Sequence, residues 1–182
     1  MEPLDESQVQ ARAVKIRLVV FDVDRVLTDG RLYLGDSGEE YKVFHVRDGQ
    51  GLVMLRDSGV RIAVISGRSS RAVAERMVEL GIDYVFQGQA DKLGVFEALL
   101  NDVGLEPTEV AYVGDDLPDL PVMRQVGLAI AVADAHPWVK QHAHWQTRLP
   151  GGQGAVREVC ELLMEAQGML ASYSCAVAKT RL

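Results

Sequence analysis

The stretch VVFDVDRVLTDG, residues 19–30, decides how this chain is read. It continues the apolar run IRLVVFDV (16–23), which is β-branched and apolar on both faces. Such a run marks a strand buried in a parallel sheet. The strand ends by aiming two carboxylates, Asp22 and Asp24, at one place, and the chain then turns.

Outward from this stretch, strands alternate with helices. RLYLGDSGEEYKVFHV (31–46) alternates around a Gly-Asp-Ser-Gly turn and predicts a β-hairpin. DGQGLVMLRDSG (48–59) predicts a helix ending in glycine, and VRIAVISG (60–67) a second buried strand. SSRAVAERMVELG (69–81) opens with serine, keeps helical spacing and stops at Gly81. YVFQG (84–88) is a short strand, DKLGVFEALLNDVGL (91–105) a helix, and EVAYVGDD (109–116) a strand ending in a second acidic pair. LPDLPVMRQVG (117–127) predicts a helix, LAIAVA (128–133) a strand and AVREVCELLMEAQG (155–168) a helix. The first residues read as a short polar lead, and the tail 169–182 as partly disordered. This alternation predicts one α/β domain over 1–182, with its core at about 16–168. The expected fold is a Rossmann-like, three-layer parallel sheet with helices on both faces.

Ligands of such sheets bind at the carboxyl ends of the strands. Those ends carry Asp22 and Asp24, then Ser66, Gly67 and Arg68, then Asp115 and Asp116, while Asp91 and Lys92 open the helix after the third strand. Converging carboxylates repel unless a cation sits among them. Oxygen ligands without a Cys or His suit Mg²⁺, which readily accepts a phosphate oxygen. A carboxylate beside the metal can attack phosphorus, and a second can serve as acid and then base. Each element alone has a plainer reading: a capped helix, an ordinary turn, a solvated lysine. Their arrival at one side of one sheet favours the joint reading.

Composition narrows the partners. The chain has 182 residues, 48% of them apolar, and a formal net charge of −7. That balance argues against nucleic acid or an anionic membrane as the main partner. Cys160 and Cys175 form no C-x-x-C pair, so they read as thiols of a reducing compartment. MEPLDESQVQARAVK (1–15) lacks an apolar signal core, and no stretch reaches membrane-span length. The expectation is a cytoplasmic protein. His45, His136, His142 and His144 have no Cys or Glu to complete a metal set and read as surface residues.

The order Asp22-x-Asp24, Ser66-Gly67-Arg68, Lys92 and Gly114-Asp115-Asp116 with Asp119 resembles the haloacid dehalogenase superfamily of aspartate-nucleophile phosphatases. VRDGQGLVMLRDSGV (46–60), FQGQADKL (86–93) and PGGQGAVREVCELL (150–163) extend the likeness, to a branch acting on the terminal phosphate of an eight-carbon sugar acid. The resemblance implies Asp22 as nucleophile and Mg²⁺ ligand. It implies Asp24 as general acid/base, with its backbone carbonyl on the metal, and Asp115 as a further ligand. Asp116 and Asp119 would support the metal or the lysine, and Ser66 and Lys92 would hold phosphate. Gly67 would allow close approach, Arg68 would reach the sugar acid's carboxylate or the phosphate, and Asp48 and Gly49 would help line the pocket. Neither gap between motifs has room for a cap domain. In capless relatives a homotetramer covers each site with a neighbour's hairpin, here tipped by GDSGEE (35–40), and the C-terminal segment can reach it. The glycine-rich lead of PGGQGAVRE (150–158) reads either as anion contact through backbone N–H groups or as a hinge, with Arg157 as a candidate for a substrate carboxylate.

Arg25 departs from the pattern, since the family usually has glycine after the second aspartate. A turn with φ > 0 there would cost a non-glycine residue roughly 1–2 kcal/mol. Three alternatives stay open. One is a phosphatase for another acidic sugar phosphate, such as a nine-carbon acylneuraminate 9-phosphate. Another is a homologue weakened or disabled by Arg25. The third is a receiver-type switch, disfavoured because both first-motif aspartates lie on one strand and lysine precedes the second acidic pair.

Overall fold

The computed structural model describes residues 4–173. Cys175 and most of the tail expected to be partly disordered lie outside the described residues. In chain order the elements are α1 (Glu6–Ala13), β1 (Leu18–Phe21), β2 (Tyr33–Leu34), β3 (Glu40–Tyr41), α2 (Val46–Asp57), β4 (Arg61–Ile65), α3 (Arg71–Glu79), β5 (Tyr84–Phe86) and α4 (Lys92–Val103). They continue with β6 (Val110–Gly114), α5 (Leu120–Met123), β7 (Leu128–Ala131), α6 (Pro137–Gln141), β8 (Trp145–Gln146) and α7 (Ala155–Ala166).

The six-stranded sheet runs β5-β4-β1-β6-β7-β8, and every pairing in it is parallel. All four residues of β1 are buried, as are the four of β7 and the five of β6. Each large apolar side chain so buried contributes about 1.5–3 kcal/mol. Helices α1 and α2 both pack on α7, α4 packs on α5, and β4 touches both α2 and α4. The result is the expected three-layer, Rossmann-like sheet. The chain leaves β1 toward β4 and returns on its other side at β6, so a topological switch point flanks β1. Register aligns the switch: Phe21 lies beside Val64 and Val113, which brings the residues after them to nearly one level.

The structure corrects the sequence reading in several places. The polar lead is a helix, α1, closed by a capping box between Asp5 and Gln8. The hairpin ladder holds two residues per strand, and Val46 already belongs to α2. The helix expected over 117–127 is a 3₁₀ turn, Leu117–Asp119, followed by the four-residue α5. Its tightness follows from Asp119, whose carboxylate turns back onto the N–H groups of Asp115 and Asp116. The edge elements α6 and β8 were not foreseen. His144, between them and expected at the surface, is buried, where Nδ1 accepts the Ala129 N–H at 2.9 Å and Nε2 lies 3.3 Å from Arg12. Among the described residues no helix is long and apolar enough to cross a membrane.

Candidate active site

At the switch point the strands deliver buried polar groups. Asp22 follows β1, Ser66 follows β4 and Asp115 follows β6, and all three are buried. Lys92, first residue of α4, is buried with them and donates to Asp22 Oδ1 at 2.6 Å and to Asp119 Oδ1 at 2.7 Å. Asp119 is saturated: the Tyr112 hydroxyl also donates to Oδ1, and the Asp115 and Asp116 N–H groups donate to Oδ2. It holds the lysine through that 2.7 Å bond. Asp116 is exposed, and its carboxylate caps the Leu117 N–H at 2.8 Å.

One carboxylate oxygen from each of Asp22, Asp115 and Asp119 lies within 4.8 Å of the other two. Crowding shows in their acidity. Burial first, then the Asp119 charge, raises Asp22 to about 7 against the pull of Lys92. Burial and the charges of Asp22 and Asp119 raise Asp115 to about 8. Burial works against the Lys92 ammonium, but Asp119 and Asp22 outweigh it and hold its pKa above the ordinary lysine value. An all-oxygen set carrying unbalanced negative charge fits a hard divalent cation such as Mg²⁺.

Arg25 has φ +66, the one left-handed non-glycine among the described residues. Its Nε lies 3.4 Å from Asp115 Oδ2, and Nη2 donates to the Asp134 carbonyl at 2.7 Å. Asp134 in turn accepts the Gly151 N–H at 2.9 Å. Arg25 thus leans over the rim and ties the β1 loop to the segment before α7.

A second charged cluster joins the hairpin to the site. Lys42, just past β3, donates to Asp24 Oδ1 and lies 3.8 Å from Glu40 Oε1. Arg68 donates to Glu40 Oε2 at 2.8 Å, with Nε 3.7 Å from Asp24 Oδ2. Arg68, half-exposed beside Asp24, therefore stands at the mouth of the cluster. A Cβ added to the exposed Gly67 would meet only the Gln89 carbonyl, at 3.8 Å. Close approach there is a matter of what binds outside the chain.

At four expected places the structure shows contacts within the chain. Asp48 is buried away from the acidic cluster, where Oδ2 accepts the Gly154 N–H at 3.1 Å and Oδ1 the Arg157 N–H at 2.8 Å. It caps α7. Gly49 is buried beside Arg76 and Leu80. Arg157 pairs with Glu161 at 2.7 Å and faces a groove with His45, Arg47 and Arg148. The glycine-rich lead packs closely on the rest of the chain. A Cβ on Gly151 would overlap the Arg25 carbonyl and one on Gly152 the Thr28 backbone, so these glycines seat the α7 lead against the β1 loop. Sequence reasoning also missed Tyr112, Lys42 and Asp134. Tyr112, the one hydroxyl-bearing residue within VAYVG, was the only one with a visible signal.

Acid pairs at adjoining strand ends, with a hydroxyl beside them and a lysine held between carboxylates, define a haloacid dehalogenase-like hydrolase. The model of haloacid dehalogenase-like hydrolases matches residues 84–157. The 3-deoxy-D-manno-octulosonate 8-phosphate phosphatase of Escherichia coli is 51% identical over 164 residues, covering 90% of this chain and 87% of the relative. The crystal structure of the Yersinia pestis phosphatase of that name is 50% identical with a TM-score of 0.89, covering 90% of this chain and 89% of that one. The structure of the Moraxella catarrhalis phosphatase, in complex with magnesium ion, phosphate ion and KDO, is 40% identical with a TM-score of 0.93 and covers 95% of this chain and 99% of that one. The chain belongs to the 3-deoxy-D-manno-octulosonate 8-phosphate phosphatase family of haloacid dehalogenase-like hydrolases.

Proposed function

We propose that the protein is a Mg²⁺-dependent phosphatase releasing phosphate from 3-deoxy-D-manno-octulosonate 8-phosphate, in the cytoplasm, as a step of lipopolysaccharide sugar biosynthesis. The observation that carries the chemistry is the buried cluster in which Lys92 joins Asp22 to Asp119 beside Asp115. The substrate assignment is supported by identity near 50% to phosphatases of that name.

In this reading an Asp22 carboxylate oxygen attacks phosphorus. The new bond is Asp22 O–P, the bond broken joins phosphorus to the sugar oxygen, and Asp24 gives that oxygen its proton. Water then attacks the phosphoryl group, passes a proton to Asp24 and frees the Asp22 carboxylate. Lys92 and the Ser66 hydroxyl hold phosphoryl oxygens, and Asp119 keeps Lys92 in place. Asp22, Asp115 and the Asp24 carbonyl would hold Mg²⁺, which when bound offsets charge on the transferring group. Arg68, half-exposed at the mouth, meets the sugar acid's carboxylate.

The hairpin supports a homotetramer. Leu32, Tyr33, Leu34, Tyr41 and Val43 are exposed on it, an apolar patch suited to a second copy of the chain. A neighbour's hairpin would then shield an otherwise open site.

The test is phosphate release by the full chain, with Mg²⁺ and with EDTA, across a panel of sugar phosphates that includes acylneuraminate 9-phosphate. The expected result is metal-dependent turnover favouring the eight-carbon acid. Preference for the nine-carbon acid would reassign the substrate. No turnover by folded protein would indicate a site disabled by Arg25.

A further inference from the structure

We propose that Lys42 is a positioning residue for Asp24, fixing which carboxylate oxygen meets the sugar leaving group; this rests on Asp24 being the acid. The two cations on Asp24 differ in kind. The Arg68 side chain is 51% exposed and can exchange partners with an incoming anion. The Lys42 side chain is 1% exposed, and its ammonium lies under Asp24 and Glu40. It cannot reach substrate without breaking both contacts. It therefore acts through Asp24.

Burying an ammonium on a hairpin with two-residue strands costs desolvation that an apolar residue of the same length would avoid. What the arrangement provides is orientation. Asp24 stands on the loop after β1 and rotates about its own side-chain bonds unless something outside that loop holds it. Lys42 donates to Oδ1, which turns Oδ2 toward the mouth, where Arg68 lies 3.7 Å away. The bridge Thr28–Phe44 pins the hairpin root to the same loop, so donor and acceptor share one frame. A group held this way aligns the acid with the bond it must cleave, and misalignment costs rate more than binding.

The experiment is single-turnover kinetics of leaving-group release by an excess of the full chain with Mg²⁺, on two substrates, so that the first step is read apart from the attack of water, in which Asp24 serves both substrates alike. 3-Deoxy-D-manno-octulosonate 8-phosphate leaves through an alkoxide that needs a proton. p-Nitrophenyl phosphate leaves as a stable phenolate and needs none. Asp24→Asn calibrates the acid and should lose far more on the sugar phosphate than on the aryl one. Lys42→Met should follow the same pattern on a smaller scale. Its single-turnover rate on the sugar phosphate should fall about 10- to 100-fold, short of the full contribution of a positioned acid, with half-saturation within about twofold and a much smaller loss on the aryl phosphate. Lys42→Arg should recover most of that loss, and Lys42→Met added to Asp24→Asn should cost nothing more. Should Lys42→Met not fold, Lys42→Gln is read the same way.

Equal losses on both substrates would overturn the proposal. So would a raised half-saturation at an unchanged single-turnover rate, or a full additional loss in the Asp24→Asn background. If Asp24→Asn itself shows no dependence on the leaving group, the acid assignment fails and the proposal with it. If Asp24→Asn behaves as an acid variant and Lys42→Met does not follow it, the proposal alone fails.

Discussion

The strand ends around β1 and the hairpin between β2 and β3 follow opposite rules. At the strand ends, Asp22, Asp115, Asp119 and Lys92 are ionisable yet buried, each answered by another group of the same chain or by the cation the set fits. On the hairpin, Leu34 and Tyr41 are apolar yet exposed among the described residues. One region holds buried charge that a core would normally refuse. The other shows apolar surface that a monomer would normally cover. In the proposed function the reacting groups come from one chain and their shielding from a neighbour.

The largest effect should come from the charged region. Asp22→Asn should lower turnover more than about a thousandfold while circular dichroism and assembly size stay unchanged. Turnover near the parent value would break the assignment of chemistry to that region. Next is the hairpin. Leu34→Asp should dissociate the assembly in sedimentation and lower kcat/KM on the sugar phosphate about tenfold or more, with a lesser loss on an aryl phosphate. A variant that stays assembled would remove the contrast.

Asp48→Ala sharpens the boundary of the site. It leaves two N–H groups at the start of α7 without their acceptor, at about 1–3 kcal/mol each, and should lower the melting temperature with little change in KM. A large rise in KM with unchanged stability would return Asp48 to the pocket.

Acidity distinguishes the metal-free site. Asp22 and Asp115 are raised to about 7 and about 8 by burial and mutual charge, so the fold favours their neutral forms. Their contribution is present below the ordinary carboxylate value and is lost as pH rises through about 7 to 8. In EDTA, stability should therefore decline by a few kcal/mol toward pH 8, and saturating Mg²⁺ should remove most of that slope. His144, lowered to about 4 first by burial and then by Arg12, acts in the other direction, losing its contribution as pH falls from about 6.5. The smallest effect belongs to Arg25→Gly. It relieves the left-handed strain and removes a cation beside Asp115, at the cost of the Asp134 tie. Net stability should move by less than about 1 kcal/mol, while Mg²⁺ affinity by calorimetry rises several-fold.

Legibility followed the range of the interaction. Apolar runs ending in Asp, Ser or Asp-Asp told both where the sheet lay and which ends carried chemistry, because strand and strand-end residue are neighbours in sequence. Asp22, Ser66, Lys92 and Asp115 came together for that reason. The role of Asp48 depends on how α2 meets α7, which no local pattern encodes. The glycines at 151 and 152 look like a hinge until the β1 loop is seen against them. Lys42 was invisible because a hairpin lysine is ordinarily solvated, and only the fold brings Asp24 over it. The capping box at Asp5 is legible as Asp-x-x-Gln, whereas the burial of His144 depends on its meeting β7 and α1, which no local pattern encodes.

The most direct test of phosphoryl transfer at the strand end is to trap the bond it requires. During turnover of the sugar phosphate with Mg²⁺, the protein is quenched in acid, reduced with borohydride and mapped by peptide mass spectrometry. An acyl phosphate at Asp22 is reduced to homoserine, and the account predicts homoserine at position 22 alone. Homoserine at another aspartate, or none while phosphate is being released, would contradict it.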